Sequence, residues 1–438
     1  MPVTERSPSK TARSSQELPS VAIPNRRGSL PRLRRILTSP VCFIAGFLLA
    51  AALLEGQQAT SAEEIERLRQ QKAQQLQPET LPWLHRTVLS FREAKVQEKL
   101  TYGYRGFRPR FGTLGPGSGF GVGIEYFRPN LMDDRFLVRS SLTGSLQDFF
   151  MIDGEFEARR LAGKGFVNLL AFHRFSPKID FFGEGPESSI HNRTAYSLEE
   201  NSVQASAGWQ IKPRVRAGGL IRYLKPNVGP TRDGSLPSTE AVFAGSAVPG
   251  LGLQPPFVQT GAFIELHPSR ELGAPPDGTT GLFRWSRFSA RERVANSFSR
   301  IEAQLERHQL FFNHQRNLFL RARTVLSIPD KGHEIPFYLQ PQLGGPWDLR
   351  GFRGRRFYDN NLALVTAEYQ WQVFSGVSLA LFVDAGKVFP YWDRWRLGRV
   401  EKSYGAGARF GNGSFAAGRF DLAFSREGVQ LWIVFDTF

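Results

Sequence analysis

Two charged residues in short patterned stretches are the strongest candidates for a built polar site. Arg350 sits in Leu349–Arg350–Gly351–Phe352, and Asp384 sits in Phe382–Val383–Asp384–Ala385–Gly386. A guanidinium grips a carboxylate through two parallel hydrogen bonds. The chemistry such a pair offers is recognition and locking, not bond making. Residues that could catalyse are not arranged to do so. The seven histidines, His85, His173, His191, His267, His308, His314 and His333, show no zinc-type spacing. No serine occupies a Gly-x-Ser-x-Gly elbow. Glu155 and Glu157 are paired carboxylates, but they stand among other charges on a polar strand face. Gly117, Gly119, Gly121 and Gly123 superficially suggest a nucleotide loop, yet no helix follows them. Glycines at one parity suit a bend or close backbone packing in a strand. The single cysteine, Cys42, leaves no disulfide framework and no cysteine-based metal site. The expectation is a protein that is not an enzyme, with no catalytic residue, cofactor or metal.

The elements that must position Arg350 and Asp384 are set by residue parity, because successive strand side chains face opposite sides. Val377, Leu379, Leu381 and Val383 share one parity, while Ser378, Ala380 and Asp384 share the other. Phe420, Leu422 and Phe424 oppose Arg419 and Asp421, and Ile152, Phe156 and Ala158 oppose Asp153, Glu155, Glu157 and Arg159. Ser299, Ile301, Ala303 and Leu305 oppose Arg300, Glu302, Gln304 and Glu306. Windows of about 10 residues, the length a tilted membrane strand needs, recur from 118–127 to 429–438. Sixteen are counted, including 336–343 as the eleventh, 361–373 as the twelfth and 376–386 as the thirteenth. A barrel that closes in lipid leaves no backbone group unpaired. One face would meet hydrocarbon and the other a wet lumen carrying charges of both signs. In that register Asp384 and Glu368 face the lumen. Arg350 lies in a stretch rich in glycine and arginine, Leu343–Asn360, between strands eleven and twelve.

The bulk numbers agree. The chain has 438 residues, a formal net charge of +16 and 37 phenylalanines, with a mean hydropathy of −0.30. That is too polar for helical spans, which need about 20 apolar residues each. Residues 1–40 hold eight Lys or Arg against two Asp or Glu, so +10 is spread over the remainder. No basic cluster coincides with a nucleic-acid module, so no nucleic-acid partner is expected. Arg26, Arg27, Arg32, Arg34 and Arg35 precede the apolar run Val41–Leu54, and small residues follow at Ala59, Ser61 and Ala62. This is the order of a secretory signal. The reading divides the chain into a signal peptide with a long basic region (1–62), a polar periplasmic linker or plug with helical periodicity (63–116), and a β-barrel (117–438).

The Arg350 and Asp384 motifs, taken with the strand count, resemble the BamA/TamA family of outer-membrane assembly barrels and the related two-partner secretion transporters. The resemblance implies a loop that folds back into the lumen, with Arg350 as its arginine and Asp384, on strand thirteen, as the partner. It implies an outer-membrane protein of a Gram-negative-type bacterium, a monomer in contact with outer-membrane lipid. Its role would be inserting or transporting unfolded outer-membrane or secreted polypeptides. The aromatic terminus, Phe438, resembles the sorting signal of such barrels. Tyr104–Arg105–Gly106–Phe107 repeats the short loop motif, but it precedes every predicted strand and is read as chance. Members that assemble or secrete proteins usually carry periplasmic POTRA domains, and residues 63–116 are too few for one. A passive diffusion channel, or a structural barrel without translocase activity, is therefore the alternative.

Overall fold

The computed structural model describes residues 104–243, 248–266, 277–292, 294–374, 376–391, 398–412 and 415–435. The predicted signal peptide, the helical linker up to residue 103 and Phe438 lie outside the described residues. The alternating segments form one antiparallel sheet of sixteen strands. In chain order they are β1 (Phe107–Gly112), β2 (Gly121–Leu131), β3 (Phe136–Ser145), β4 (Phe150–Leu161), β5 (Gly165–Phe181) and β6 (Thr194–Lys212). Then come β7 (Val215–Pro230), β8 (Phe257–Leu266), β9 (Gly278–Ala290), β10 (Phe298–Phe311) and β11 (Arg316–Pro329). After a long loop follow β14 (Asn361–Phe374), β15 (Val377–Phe389), β16 (Glu401–Asn412), β17 (Phe415–Ser425) and β18 (Gly428–Val434). Two short strands inside that loop, β12 (Gln342–Leu343) and β13 (Phe357–Tyr358), pair only with each other. The wall is an all-β, nearly closed barrel.

Polarity is inverted relative to a water-soluble domain. On β15, Leu381 is 62% exposed on the outer face while Asp384 is 0% exposed within. The same holds on β4, where Ile152 and Phe156 face out and Asp153 is buried, and on β17, where Phe420 and Leu422 face out and Asp421 is buried. An apolar belt outside and charges inside is the arrangement a lipid-embedded barrel requires. The connections follow the same logic. Residues 132–135, 213–214 and 312–315 are tight turns at one end, whereas 182–193, 231–256 and 330–360 are long loops at the other. Such tight turns need left-handed backbone. Met132, Asp133 and Asp134 adopt it in succession (φ 49°, 57° and 62°), as do Phe312, Asn313 and His314 (φ 52°, 53° and 63°).

The structure corrects the predicted register in four places. The first barrel strand is Phe107–Gly112, so the wall begins ahead of residue 117 and includes part of the predicted linker. Phe107 and Phe111 point outward, while Arg108 reaches Glu125 (2.5 Å) and Arg110 reaches Asp153 (3.0 Å) in the lumen. Pro109 hides this alternation, and it is tolerated because an edge strand need not donate every backbone N–H. The window 336–343 is not a barrel strand. It forms a 3₁₀ turn at Phe337–Leu339 and then β12. The strand total of sixteen therefore holds through two offsetting differences. Tyr104–Arg105–Gly106–Phe107 does not precede the barrel but turns into β1, with Arg105 and Gly106 at positive φ. Of the four glycines, Gly117 and Gly119 belong to the β1–β2 loop. Gly121 and Gly123 lie in β2, where a Cβ on Gly123 would stand 2.1 Å from the Leu142 carbonyl oxygen.

Two features of the barrel bear on function. First, the lumen is not wet throughout. At the long-loop end Phe181, Tyr196, Phe257, Phe298, Phe337 and Tyr358 form a buried aromatic cluster. A second cluster packs Leu343, Leu349, Phe352 and Phe357 of the β11–β14 loop against Val325, Leu362, Leu364 and Val388 of the wall. Second, the sheet has two ends, β1 and β18. Among the described residues the backbone link between these ends is one hydrogen bond, from Thr113 N–H to the Phe435 carbonyl (3.3 Å), with the Phe120 ring edge-on to Phe435 at 5.1 Å.

Candidate functional site

The site is assembled by three wall strands and one inward-folded loop. Glu368 of β14 pairs in register with Phe382 of β15, and Asp384 of β15 pairs with Ser403 of β16. These registers put the carboxylates of Glu368 and Asp384 on the lumen side of neighbouring strands. The β11–β14 loop brings Arg350 between them. Arg350 is 3% exposed. Its Nε donates to Asp384 Oδ2 (2.9 Å), its Nη2 to Asp384 Oδ1 (2.8 Å) and its Nη1 to Glu368 Oε2 (2.5 Å). The Arg350 backbone N–H adds a bond to Asp384 Oδ2 (3.2 Å), and Ser403 Oγ donates to the same oxygen (3.0 Å). The guanidinium carbon lies 3.4 Å from the centre of the Phe382 ring, a cation–π contact worth about 2 kcal/mol when desolvated.

A buried charge is tolerated only when it is paired and its hydrogen-bonding capacity is used. Burial alone would lower the proton affinity of Arg350, but the bonds and charges of Asp384 and Glu368 outweigh it and hold the group above the ordinary arginine range. Glu368 is itself shared. Arg409 of β16 donates to both its oxygens (3.0 and 2.9 Å) and, through Nη1, to Asp421 of β17 (2.6 Å). Arg419 stands 3.6 Å from Asp421 and donates to the Pro346 carbonyl of the loop. The network thus runs from the loop through β14, β15, β16 and β17.

The neighbours of Arg350 explain the rest of the motif. Leu349 and Phe352 are fully buried in the second apolar cluster, and the Phe352 ring meets Phe357 edge-on at 5.2 Å. Gly351 is required by crowding. A Cβ there would stand 2.6 Å from the Phe424 carbonyl oxygen and 2.7 Å from Ser403 Cβ. Its own carbonyl accepts from Ser425 Oγ (2.6 Å), and the Arg350 carbonyl accepts from Trp432 Nε1 of β18 (2.7 Å). At Gly386 a Cβ would press on Leu343 and Leu364 at 3.1 Å. The structure therefore brings together Leu349, Arg350, Gly351, Phe352, Glu368, Phe382, Asp384 and Gly386. Phe438 lies outside the described residues.

Sequence reasoning missed a second anchor of the same loop. Arg356, 1% exposed, takes Glu427 of the β17–β18 turn through its Nε (3.0 Å to each oxygen). It also donates to Ser188 Oγ (2.9 Å) and the Ser188 carbonyl (2.6 Å) in the β5–β6 loop. Phe182 and Phe357 flank it at 4.9 and 4.6 Å. The loop is thereby fixed to both sides of the barrel mouth. Arg409, Asp421, Ser403 and Trp432 were also missed. Only Asp421 carried a signal, its lumen parity.

Residues 274–430 match the Omp85 superfamily domain. That stretch contains the whole loop and all three network carboxylates, Glu368, Asp384 and Asp421. No curated protein matches the chain in sequence. Among solved structures, the crystal structure of BamA from Haemophilus ducreyi lacking POTRA domains 1–3 is similar over 76% of this chain and 70% of that one, at 13% identity and a TM-score of 0.54. CdiB from Escherichia coli aligns over 74% of this chain and 61% of its own, at 12% identity and a TM-score of 0.49. CdiB from Acinetobacter baumannii aligns over 75% and 57%, at 11% identity and a TM-score of 0.45. At such identities the BamA likeness is one of fold, and the two CdiB alignments add nothing to it. The carboxy-terminal half of the barrel thus matches the Omp85 superfamily domain, and the sixteen-strand wall is similar in fold to that of BamA.

Proposed function

We propose that this barrel inserts polypeptides into the outer membrane or carries them across it, by opening the β1–β18 seam while the β11–β14 loop holds the remaining wall in shape. The observation that carries the reading is the contrast between seam and wall. β10 and β11 pair along fourteen residues, whereas β1 and β18 are linked by one backbone bond among the described residues. An edge that presents unpaired N–H and C=O groups is a template for an incoming strand. In hydrocarbon such groups gain from pairing, since each unsatisfied one costs several kcal/mol. The work is conformational and needs no bond chemistry.

Depletion is the direct test. Loss of the protein should lower the amount of other barrels, or of a secreted polypeptide, at the outer membrane, while unchanged levels would end the proposal. A passive diffusion channel is the competing reading. The aromatic cluster and the loop network pack the long-loop end of the lumen, so planar bilayers should show no large steady conductance. A stable open pore would favour the channel instead.

A further inference from the structure

Two of the four arginines of the β11–β14 loop are matched by carboxylates, Arg350 by Asp384 and Glu368 and Arg356 by Glu427, and Arg321 and Arg323 of β11 are matched by Asp348 of the loop. Arg353 and Arg355 are the exceptions, since no carboxylate pairs with either among the described residues. Both line a cavity of about 270 Å³ between the loop and the wall. Lys178 and Arg193 complete its basic lining, but each has its own acid, Asp233 and Asp180 respectively. Two positive charges are therefore left over.

Arg355 is the more telling of the two. Its Nη1 is buried and has no hydrogen-bond partner. A buried donor left unsatisfied costs about 1–3 kcal/mol, and more when charged. Its backbone is left-handed (φ 56°), a conformation that suits glycine or asparagine better than arginine. The loop thus accepts two costs to hold a guanidinium at this point.

We propose that this cavity binds a phosphate-type oxyanion, held by Arg353 and Arg355. Charge selects the ligand class. A phosphate monoester carries about −1.5 to −2 at neutral pH, which two unmatched guanidiniums neutralise, whereas a carboxylate would leave one charge over. The guanidinium fork also fits a tetrahedral oxyanion through paired N–H bonds. Position gives the site a consequence. Pro116 and Gly117 of the β1–β2 loop form one side of the cavity, and Gln430 and Trp432 of β18 form another. A bound oxyanion would touch elements from both sides of the seam as well as the loop. The proposal goes beyond the transport reading and does not depend on it, because binding is read on the purified protein.

The test is calorimetric titration of the full chain in detergent with inorganic phosphate, with acetate at equal ionic strength as the control. Saturable phosphate binding is expected, with acetate at least tenfold weaker. Arg355→Gln and Arg353→Gln should each weaken phosphate at least tenfold. Arg353 is exposed, so that variant keeps the test valid even where Arg355→Gln fails to fold. Equal binding of acetate, heats that do not saturate, or phosphate affinity unchanged in Arg353→Gln would overturn the site. Vesicles of a phosphorylated glycolipid then separate the sources. Competition with phosphate assigns the site to a lipid headgroup, and phosphate binding without competition assigns it to the free ion.

Discussion

The Arg350–Asp384–Glu368 cluster shows why a buried ion pair is a lock and a poor source of net stability. Desolvating three charges offsets most of their attraction, yet removing one partner strands the others, at a cost of about 3–5 kcal/mol. Arg350→Asp and Asp384→Arg should each destabilise the loop by that order, seen as a lower temperature for loss of the folded, fast-migrating form on unheated gels. The double exchange should restore only part of the loss, because the carboxylate introduced at position 350 would then face Glu368, which accepts from Arg350 in the native protein. No recovery at all would count against the pairing as the dominant contact. Gly351 is the second residue-scale test. An alanine Cβ would need to displace backbone at Phe424, and overpacking of this kind costs about 1–3 kcal/mol. Gly351→Ala should raise the reactivity of a cysteine placed at exposed Arg353, without altering barrel content by circular dichroism. The Arg350 and Asp384 motifs were legible in the sequence because each carries its own short pattern. The partners Ser403, Arg409 and Trp432 were not, since what joins them is inter-strand register, such as Asp384 opposite Ser403, and parity alone does not give register.

At the scale of elements, the β11–β14 loop acts as a strap with two buried rivets, Arg350 over β14–β15 and Arg356 between the β5–β6 loop and the β17–β18 turn. Between Arg356 and β14 lies Asp359, a buried carboxylate that accepts from the Asn360 backbone N–H (2.8 Å). Burial pushes its pKa up to about 7; the Asn360 bond pulls it down in part and the nearby Glu184 charge raises it further. The sign follows from proton counts. Below pH 3.8 the carboxyl is protonated whether the strap is docked or released. Between that value and about 7 only the docked form keeps the proton, so each added pH unit removes about 1.4 kcal/mol of docking free energy. Above about 7 the loss is complete. Limited proteolysis of the strap should therefore be faster at pH 8 than at pH 5, and Asp359→Asn should lose most of that difference. Equal rates in the native chain at both pH values would refute it. The strap's position between strands eleven and twelve was legible from strand counting, but its internal structure was not. The run Pro336–Leu343 is apolar enough to read as a strand. Phe337 and Tyr338 instead fill the aromatic cluster from a 3₁₀ turn, flanked by Pro336 and Pro341.

For the whole molecule, period-two alternation predicted a sixteen-strand antiparallel barrel because each wall strand meets two solvents. The signal fails where that condition fails. β5, β6 and β7 run to 17, 19 and 16 residues, well past the length that spans lipid. Their long-loop ends bury Phe181, Tyr196 and Leu224 in the aromatic cluster, so a wet lumen was the wrong expectation there. β1 escaped notice for the opposite reason, being six residues long with a proline in the middle. These two departures have one mechanical result. The strap is bonded to the carboxy-terminal strands through Glu368, Asp384, Ser425 and Trp432. β1 lies across a seam from them, tied by Thr113 to Phe435. The proposed opening would therefore move β1 against a braced β14–β18 unit. Cysteines at Thr113 and Phe435 would test this, and the single native cysteine, Cys42, lies far from both in sequence. Oxidised Thr113→Cys/Phe435→Cys protein should keep its fold and lose at least tenfold in delivery of client polypeptides to the outer membrane, with full recovery on reduction. Retained delivery in the fully cross-linked protein would mean that the seam stays shut during the work, and the passage would have to be sought through the lumen.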